Sequence, residues 1–138
     1  MSTIAVTAAQ IGLVHPTRAK VWPVKLAATV TAGQVLYQTS SATFNLCDTD
    51  ATATDQPAGI ALEGGVAGQV ISMVKEGAIY GVTLSGEAYA GLVYASGTAG
   101  GLSDSAKVQV VGRVMPLSDP SLTKVLYVEI PWGSADFS

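Results

Sequence analysis

Charged side chains are scarce in this 138-residue chain. Lys, Arg, Asp and Glu together make up 12% of the sequence, against about a quarter in a typical soluble domain. The seven basic and ten acidic residues give a net charge of −3, and no basic cluster of the kind that binds nucleic acid is present. So few charged side chains would leave much of a free monomer's surface without charge. This predicts a protein whose surface is partly buried against other subunits.

Cysteine and histidine occur once each, as Cys47 and His15. A single cysteine excludes an intrachain disulfide and is consistent with assembly in a reducing compartment. The two residues could act as nucleophile and base, but nothing in the sequence supplies the third group that orients such a pair. We therefore interpret Cys47 as a buried, inert thiol in a strand and expect no catalytic site.

Long apolar runs are also missing. Each hydrophobic stretch is interrupted within a few residues by Gly, Thr, Gln or Arg, well short of the roughly 20 residues that a membrane-spanning helix needs. The N-terminus lacks a basic region followed by an apolar block, so no signal peptide is expected. We therefore expect no membrane partner. Because the chain has no basic cluster, we expect no nucleic-acid partner either.

One acidic loop has the composition of a metal site but not its spacing. Asp48, Asp50 and Asp55 share a Thr/Ala-rich segment, and calcium prefers several oxygens from such a loop. Counted as an EF-hand, however, the loop has Ala53 in place of the glycine and Gly59 in place of the final glutamate. We interpret it as a solvated turn region and expect no metal.

The glycine-rich segments 64–68 and 97–101 resemble phosphate-binding loops only in their glycine content. Neither ends in Gly-Lys-Ser/Thr and neither leads into a helix, so no helix dipole would support an anion there. Tight turns that need a positive φ explain these glycines. We therefore expect no cofactor.

Two tryptophans and five tyrosines could form a sugar-binding face. They are spread over separate predicted strands, and no acidic residue recurs beside them to hydrogen-bond sugar hydroxyls. Amphipathic aromatic residues are common in cores and at subunit interfaces, which is the interpretation we favour. The residues are Trp22, Tyr37, Tyr80, Tyr89, Tyr94, Tyr127 and Trp132.

Short runs of β-branched and aromatic residues, bounded by Gly, Asp, Ser and Pro, make up most of the chain. This pattern is typical of strands and turns, and no window sustains the 3.6-residue period of a helix. The sequence therefore predicts an all-β fold, a small barrel or sandwich in which any helix is short.

A weak internal duplication organises these runs into two repeats, about residues 31–75 and 89–131. Each repeat consists of a turn, a short strand, a loop, a strand that contains glycine, and a closing strand. Such a unit is too small to bury its own apolar face, so the two repeats are predicted to share one core. The matched blocks are 32–37 with 90–94 (AGQVLY and AGLVY), 58–62 with 111–115 (AGIAL and VGRVM), and 68–74 with 124–130.

Residues 1–20 have no counterpart in the duplication, and 21–138 are predicted to form a single β domain. The run from His15 to Arg18 contains Pro16, which disfavours continuous regular structure. We predict that residues 1–20 form an arm or edge strand outside the core, ordered mainly by contact with a partner. The residues predicted to contact that partner are His15, Arg18, Trp22 and Trp132.

Five short blocks resemble a family of tailed-bacteriophage proteins, the small capsid decoration (cement) proteins. The blocks are 32–37, 58–62, 67–71, 91–94 and 100–102, and they correspond to the patterns aGq-v-y, Gial---aaGq-v-v and Gd-vY-s---g-l. The resemblance spans about residues 24–130. Gly91 is not followed by the acidic residue usual in the family, and residues 1–23 have no family counterpart.

The resemblance implies β-rich subunits that associate, commonly as trimers, on the outer face of an icosahedral head. There they would bridge major capsid subunits and stabilise the shell without catalysis. The expected partners are therefore the major capsid protein and further copies of this chain, and the expected location is the outer surface of the virion. The alternatives are a tail, fibre or baseplate component, and a small hydrolase or carbohydrate-binding module that uses the Asp loop or the aromatic residues.

Overall fold

The computed structural model describes residues 3–14, 16–39, 42–47, 57–84, 87, 89–95, 100–103, 110–116 and 124–130. Within these ranges the chain forms eleven strands and two short 3-10 turns, and no α-helix occurs there. The all-β prediction is confirmed. The strands are β1 (Thr3–Ile4), β2 (Gly12–Leu13), β3 (Lys20–Lys25), β4 (Val35–Gln38), β5 (Phe44–Leu46), β6 (Pro57–Ala61), β7 (Val70–Tyr80), β8 (Leu92–Ala95), β9 (Leu102–Ser103), β10 (Val110–Pro116) and β11 (Lys124–Glu129).

The same antiparallel strand order occurs in both repeats. The first repeat has the order β5-β4-β6-β7, and the second has the order β9-β8-β10-β11. The closing strands β7 and β11 pair with each other in antiparallel orientation. This pairing joins the repeats into one curled antiparallel sheet that forms a half-barrel.

Matching hydrogen bonds fix the correspondence between the repeats. The N–H of Gly33, before β4, donates to the carbonyl of Ala61, and the N–H of Ala90, before β8, donates to the carbonyl of Val114. Gly33 and Ala90 also share the left-handed backbone conformation, with φ of 92° and 65°. The sequence alignment had matched Gly33 with Gly91, so it was wrong by one residue in this block.

Bulges occur at equivalent positions of β6 and β10, at Ala58 and Val111. The glycine after each bulge is required by a close approach of the neighbouring strand. A Cβ at Gly59 would lie 2.5 Å from the carbonyl oxygen of Val74, and a Cβ at Gly112 would overlap the carbonyl oxygen of Tyr127. The blocks that begin at residues 58 and 111 were therefore correctly matched. The match of 68–74 with 124–130 is wrong by three residues, because Val74 opposite Ile60 corresponds to Tyr127 opposite Arg113.

We expect Gly112→Ala to destabilise the fold by about 1–3 kcal/mol, the usual cost of overpacking, because the added methyl must displace backbone. Gly12→Ala is the matched control, since a Cβ at Gly12 meets nothing within 4 Å. Urea unfolding of the two variants measures the difference. Equal midpoints for the two variants would show that the close approach of β10 and β11 is not needed.

The larger of two hydrophobic cores draws on both repeats, as the duplication predicted. Its buried residues are Ile4, Val35, Cys47, Ile60, Val74, Ile79, Leu84, Val93, Ala95, Leu102, Val111, Val114, Leu126, Val128 and Ile130. The smaller core lies on the other face of the first repeat, where residues 24–30 cover it. It contains Val24, Leu26, Val30, Leu36, Phe44, Ala58, Ala61, Ile71 and Met73.

The N-terminal residues are part of the sheet. Ile4, only 5% exposed, packs in the larger core, and β1 pairs with β9. The next residues form backbone hydrogen bonds with the chain just after β7. The N–H of Thr83 donates to the carbonyl of Ala5, and the N–H of Thr7 donates to the carbonyl of Gly81. Residues 3–7 therefore connect β9 to the end of β7. The prediction that residues 1–20 lie outside the core is wrong for Ile4.

The rest of the N-terminal segment runs antiparallel to β7. β2 and β3 pair with it from Gly12 opposite Tyr80 to Lys25 opposite Val70, and a 3-10 turn at Pro16–Arg18 separates them. Among the described residues, no strand pairs with the other edge of β3. Proline in β3, at position 23, suits such an edge because it has no N–H to donate.

Candidate interaction surfaces

The first repeat buries both faces of its sheet. Residues directly opposite each other on paired strands share a face, so Val35, Ile60 and Val74 form one row across β4, β6 and β7. All three are 0% exposed and belong to the larger core. The opposite face carries Leu36 and Met73, which belong to the smaller core.

The second repeat leaves the equivalent row open. Its members are Leu92, Arg113 and Tyr127, which lie opposite one another on β8, β10 and β11. Leu92 is 38% exposed, Arg113 is exposed and Tyr127 is half-buried. The face that carries this row is therefore only partly covered in the second repeat, although Val125 and Ser103 on the same face are buried. We name it the open face and define it as Leu92, Tyr94, Val110, Arg113, Met115, Tyr127 and Glu129.

Charged groups cluster around Tyr127 at the side of the open face that adjoins β7. The Tyr127 hydroxyl donates to Glu76 Oε2 at 3.4 Å, and Lys20 Nζ lies 3.6 Å from Glu76 Oε1. Glu129 lies opposite Glu76 on the paired strands. Burial raises the pKa of Tyr127 above its ordinary value of 10.0, and the negative charges of Glu76 and Glu129 raise it further.

This raised pKa predicts a loss of stability in alkaline solution. As the pH rises through 10, the Tyr127 side chain ionises in the unfolded chain but keeps its proton in the folded chain, so folding becomes less favourable. We expect Tyr127→Phe to reduce the slope of unfolding free energy against pH above pH 10 and to leave the slope at pH 7–9 unchanged. Urea unfolding of the wild type and of Tyr127→Phe at a series of pH values measures both slopes. Identical slopes of the two proteins above pH 10 would contradict a raised pKa of Tyr127.

A second exposed apolar surface lies at the edge formed by β3 and the start of β7. The register of β3 on β7 shifts between Lys20 opposite Glu76 and Val21 opposite Val74, which reverses the alternation of β7 and places this surface on the face opposite the open face. Val70 is 65% exposed and Val66, in the preceding turn, is 53% exposed. Val21 and Pro23 of β3 are exposed too, and β3 is paired with β7. We name these four residues the edge patch.

The structure describes two of the four residues predicted to contact a partner. Arg18 is exposed in the 3-10 turn before β3. Trp22 is 55% exposed in β3 and lies opposite Met73. The two therefore share the N-terminal segment that is paired with β7. His15 and Trp132 lie outside the described residues.

The other candidate sites have different outcomes. Cys47 is fully buried in the larger core, which confirms the prediction of a buried thiol. Asp48, Asp50 and Asp55 lie outside the described residues. The described part of the chain contains no group of three or more His, Cys, Asp or Glu side chains that could hold a metal ion. It also contains no helix long and apolar enough to cross a membrane.

Sequence reasoning missed the open face, although a signal for it exists. The strand Leu92–Ala95 is apolar at successive positions, as strands covered on both faces are. Yet only Val93 and Ala95 enter the larger core. An apolar strand with only one covered face therefore leaves apolar side chains exposed.

Comparison with known proteins found no match. No family model, no curated protein and no solved structure matches this chain.

Proposed function

We propose that this protein is a structural virion component that decorates the outer face of a tailed-phage icosahedral capsid. In this proposal it bridges major capsid subunits and stabilises the shell without catalysis. The resemblance of residues 24–130 to capsid decoration proteins supports it. The low content of charge supports it as well, because the cores of protein interfaces are depleted in charged residues.

Trp22 is the observation that carries the proposal. More than half of this large side chain is exposed, on a strand that pairs with β7 along its length. Arg18 is exposed four residues earlier. Trp and Arg are the residue types most enriched among those that dominate binding energy in protein interfaces. A turn and a paired strand that present these two residues close together in the chain are suited to anchor the protein on a large protein surface.

Shell stabilisation follows from such anchoring. A protein that binds the intact shell better than the opened one stabilises the intact form by mass action. Because a head has many identical sites, contacts that are individually weak act together when associated subunits bind several sites at once. Packaged DNA pushes outward on the shell, so subunits that bridge neighbouring capsomers oppose the opening of the seams.

Sedimentation with purified expanded heads tests this proposal. We expect the full-length protein to sediment with the heads, and Trp22→Ala to bind about 30-fold more weakly, the effect of losing a side chain worth about 2 kcal/mol. Tyr89→Ala is the control, because Tyr89 is an exposed aromatic residue outside this segment. Absence of the wild-type protein from the pelleted heads would refute the proposal, and equal binding of Trp22→Ala would refute the role of Trp22.

A carbohydrate-binding β module is the second candidate, and one observation favours it. Tyr127 lies beside Glu76 and Glu129. The fold therefore brings carboxylates that could bind sugar hydroxyls next to an aromatic ring, which the sequence did not predict. The aliphatic neighbours Leu92 and Met115 are more typical of a protein interface. Glycan-array binding that Tyr127→Ala abolishes would favour this candidate. Tubes formed without heads, together with no binding to expanded heads, would instead favour a tail component.

A further inference from the structure

The large aliphatic side chains that are exposed among the described residues form two separate groups of three. One group lies on the open face and the other on the edge patch, which is on the opposite face of the sheet. Single exposed apolar residues are ordinary on a protein surface, whereas grouped ones mark binding surfaces. The first group is Leu92, Val110 and Met115, and the second is Val21, Val66 and Val70.

The packing inside one chain shows what kind of surface can cover such a row. In the first repeat, the equivalent row of Val35, Ile60 and Val74 is buried in one cluster with aliphatic strand residues of the second repeat, such as Val93 and Leu126. A second copy of the chain offers a similar aliphatic surface in its edge patch, whose four residues are three valines and a proline on or beside paired strands.

One pair of charges beside the two surfaces is complementary, while the exposed Arg113 lies among the other side chains of the open face. Glu129 is exposed on the open face. Lys25 is exposed beside the edge patch, directly opposite Val70. Opposite charges at matching edges of two surfaces favour their encounter and fix their register.

A contact between two open faces would leave the edge patch of each copy in water. A contact between an open face and an edge patch covers both surfaces and brings Glu129 towards Lys25. We propose that copies of this chain bind each other head to tail, with the open face of one copy seated on the edge patch of the next. Such a contact builds a ring when the rotation between neighbours closes. It does not depend on shell binding.

Sedimentation velocity of the full-length protein across a micromolar concentration series tests the contact. We expect the wild type to assemble. Met115→Asp on the open face and Val70→Asp on the edge patch should each weaken assembly at least about tenfold, because a buried unpaired carboxylate is strongly unfavourable. Met115→Leu and Val70→Ile, which keep the surfaces apolar, should assemble like the wild type.

An equimolar mixture of Met115→Asp and Val70→Asp gives the decisive result. Each contact uses one open face and one edge patch, so the mixture retains one intact contact and should form a heterodimer and nothing larger. An unfolded variant could not restore assembly in this way. A wild type that stays monomeric, a Val70→Asp variant that assembles normally, or a mixture that stays monomeric would overturn the proposal. Head binding of the wild type, measured separately, reports on the proposed function.

Discussion

A chain that lacks residues 1–11 is expected to lose its cooperative unfolding transition. Ile4 fills the larger core, and the side chains of Val6 and Ile11 lie against Gly33 at the start of the first repeat. Residues 3–7 also hydrogen-bond to β9 and to the chain after β7. The deletion removes core packing and leaves backbone groups of two strands without partners.

The expected loss is comparable with the whole stability of a small domain. Truncating a buried isoleucine alone costs about 2–5 kcal/mol, and each buried backbone group left unpaired adds about 1–3 kcal/mol. Small domains are stable by only about 5–15 kcal/mol. Circular dichroism on heating should show no sigmoidal transition for the deletion. Gln10→Ala, which changes an exposed residue in the same segment, is the control and should unfold at the wild-type midpoint. If residues 1–11 were a free arm, the deletion would unfold at that midpoint too.

A fragment of residues 31–75 alone is expected to remain unfolded. Its core residues Val35, Ile60 and Val74 pack in a cluster that the second repeat completes. In addition, Gly100 of the second repeat accepts a hydrogen bond from the N–H of Val35 and donates one to the carbonyl of Cys47. Without the second repeat, these strands keep an open apolar face and unpaired edges.

The amide proton spectrum of that fragment measures the outcome. We expect narrow dispersion for residues 31–75, narrow dispersion for residues 89–131, and wide dispersion for the full chain under the same conditions. A well-dispersed spectrum for either fragment would mean that one repeat can fold without the shared core.

Features that depend on neighbouring residues could be predicted from the sequence. The β-branched runs and the Gly and Pro turns indicated an all-β chain, and the blocks at 58–62 and 111–115 were correctly matched because both contain a bulge followed by a required glycine. The burial of Cys47 follows from the apolar strand before it. In each case the signal in the sequence lies within a few residues, even where the contact that requires it comes from a neighbouring strand.

Features that depend on distant parts of the chain could not be predicted. β1 and β2 have two residues each, too few to show a period, and they form only because β9 and β7 offer them edges. Ala90 adopts a φ of 65° where the first repeat has Gly33, so matching glycine with glycine misplaced one block.

The candidate surfaces were predictable to a lesser degree than the fold. Composition singled out Arg18 and Trp22, and both are exposed, but their contact with a partner remains a prediction. The open face emerged only when the burial of equivalent rows was compared, because Leu92 and Val35 have similar side chains and opposite environments. What covers a strand is decided by the packing of the whole sheet.

The temperature at which DNA-filled heads release their DNA tests the central claim most directly. Heads that lack this protein are heated with and without an excess of the purified full-length chain, and released DNA is followed by the fluorescence of an intercalating dye. Decoration and stabilisation of the shell predict a higher release temperature when the protein is bound, and a smaller increase with Trp22→Ala at the same concentration. The same release temperature with and without the protein would contradict the account.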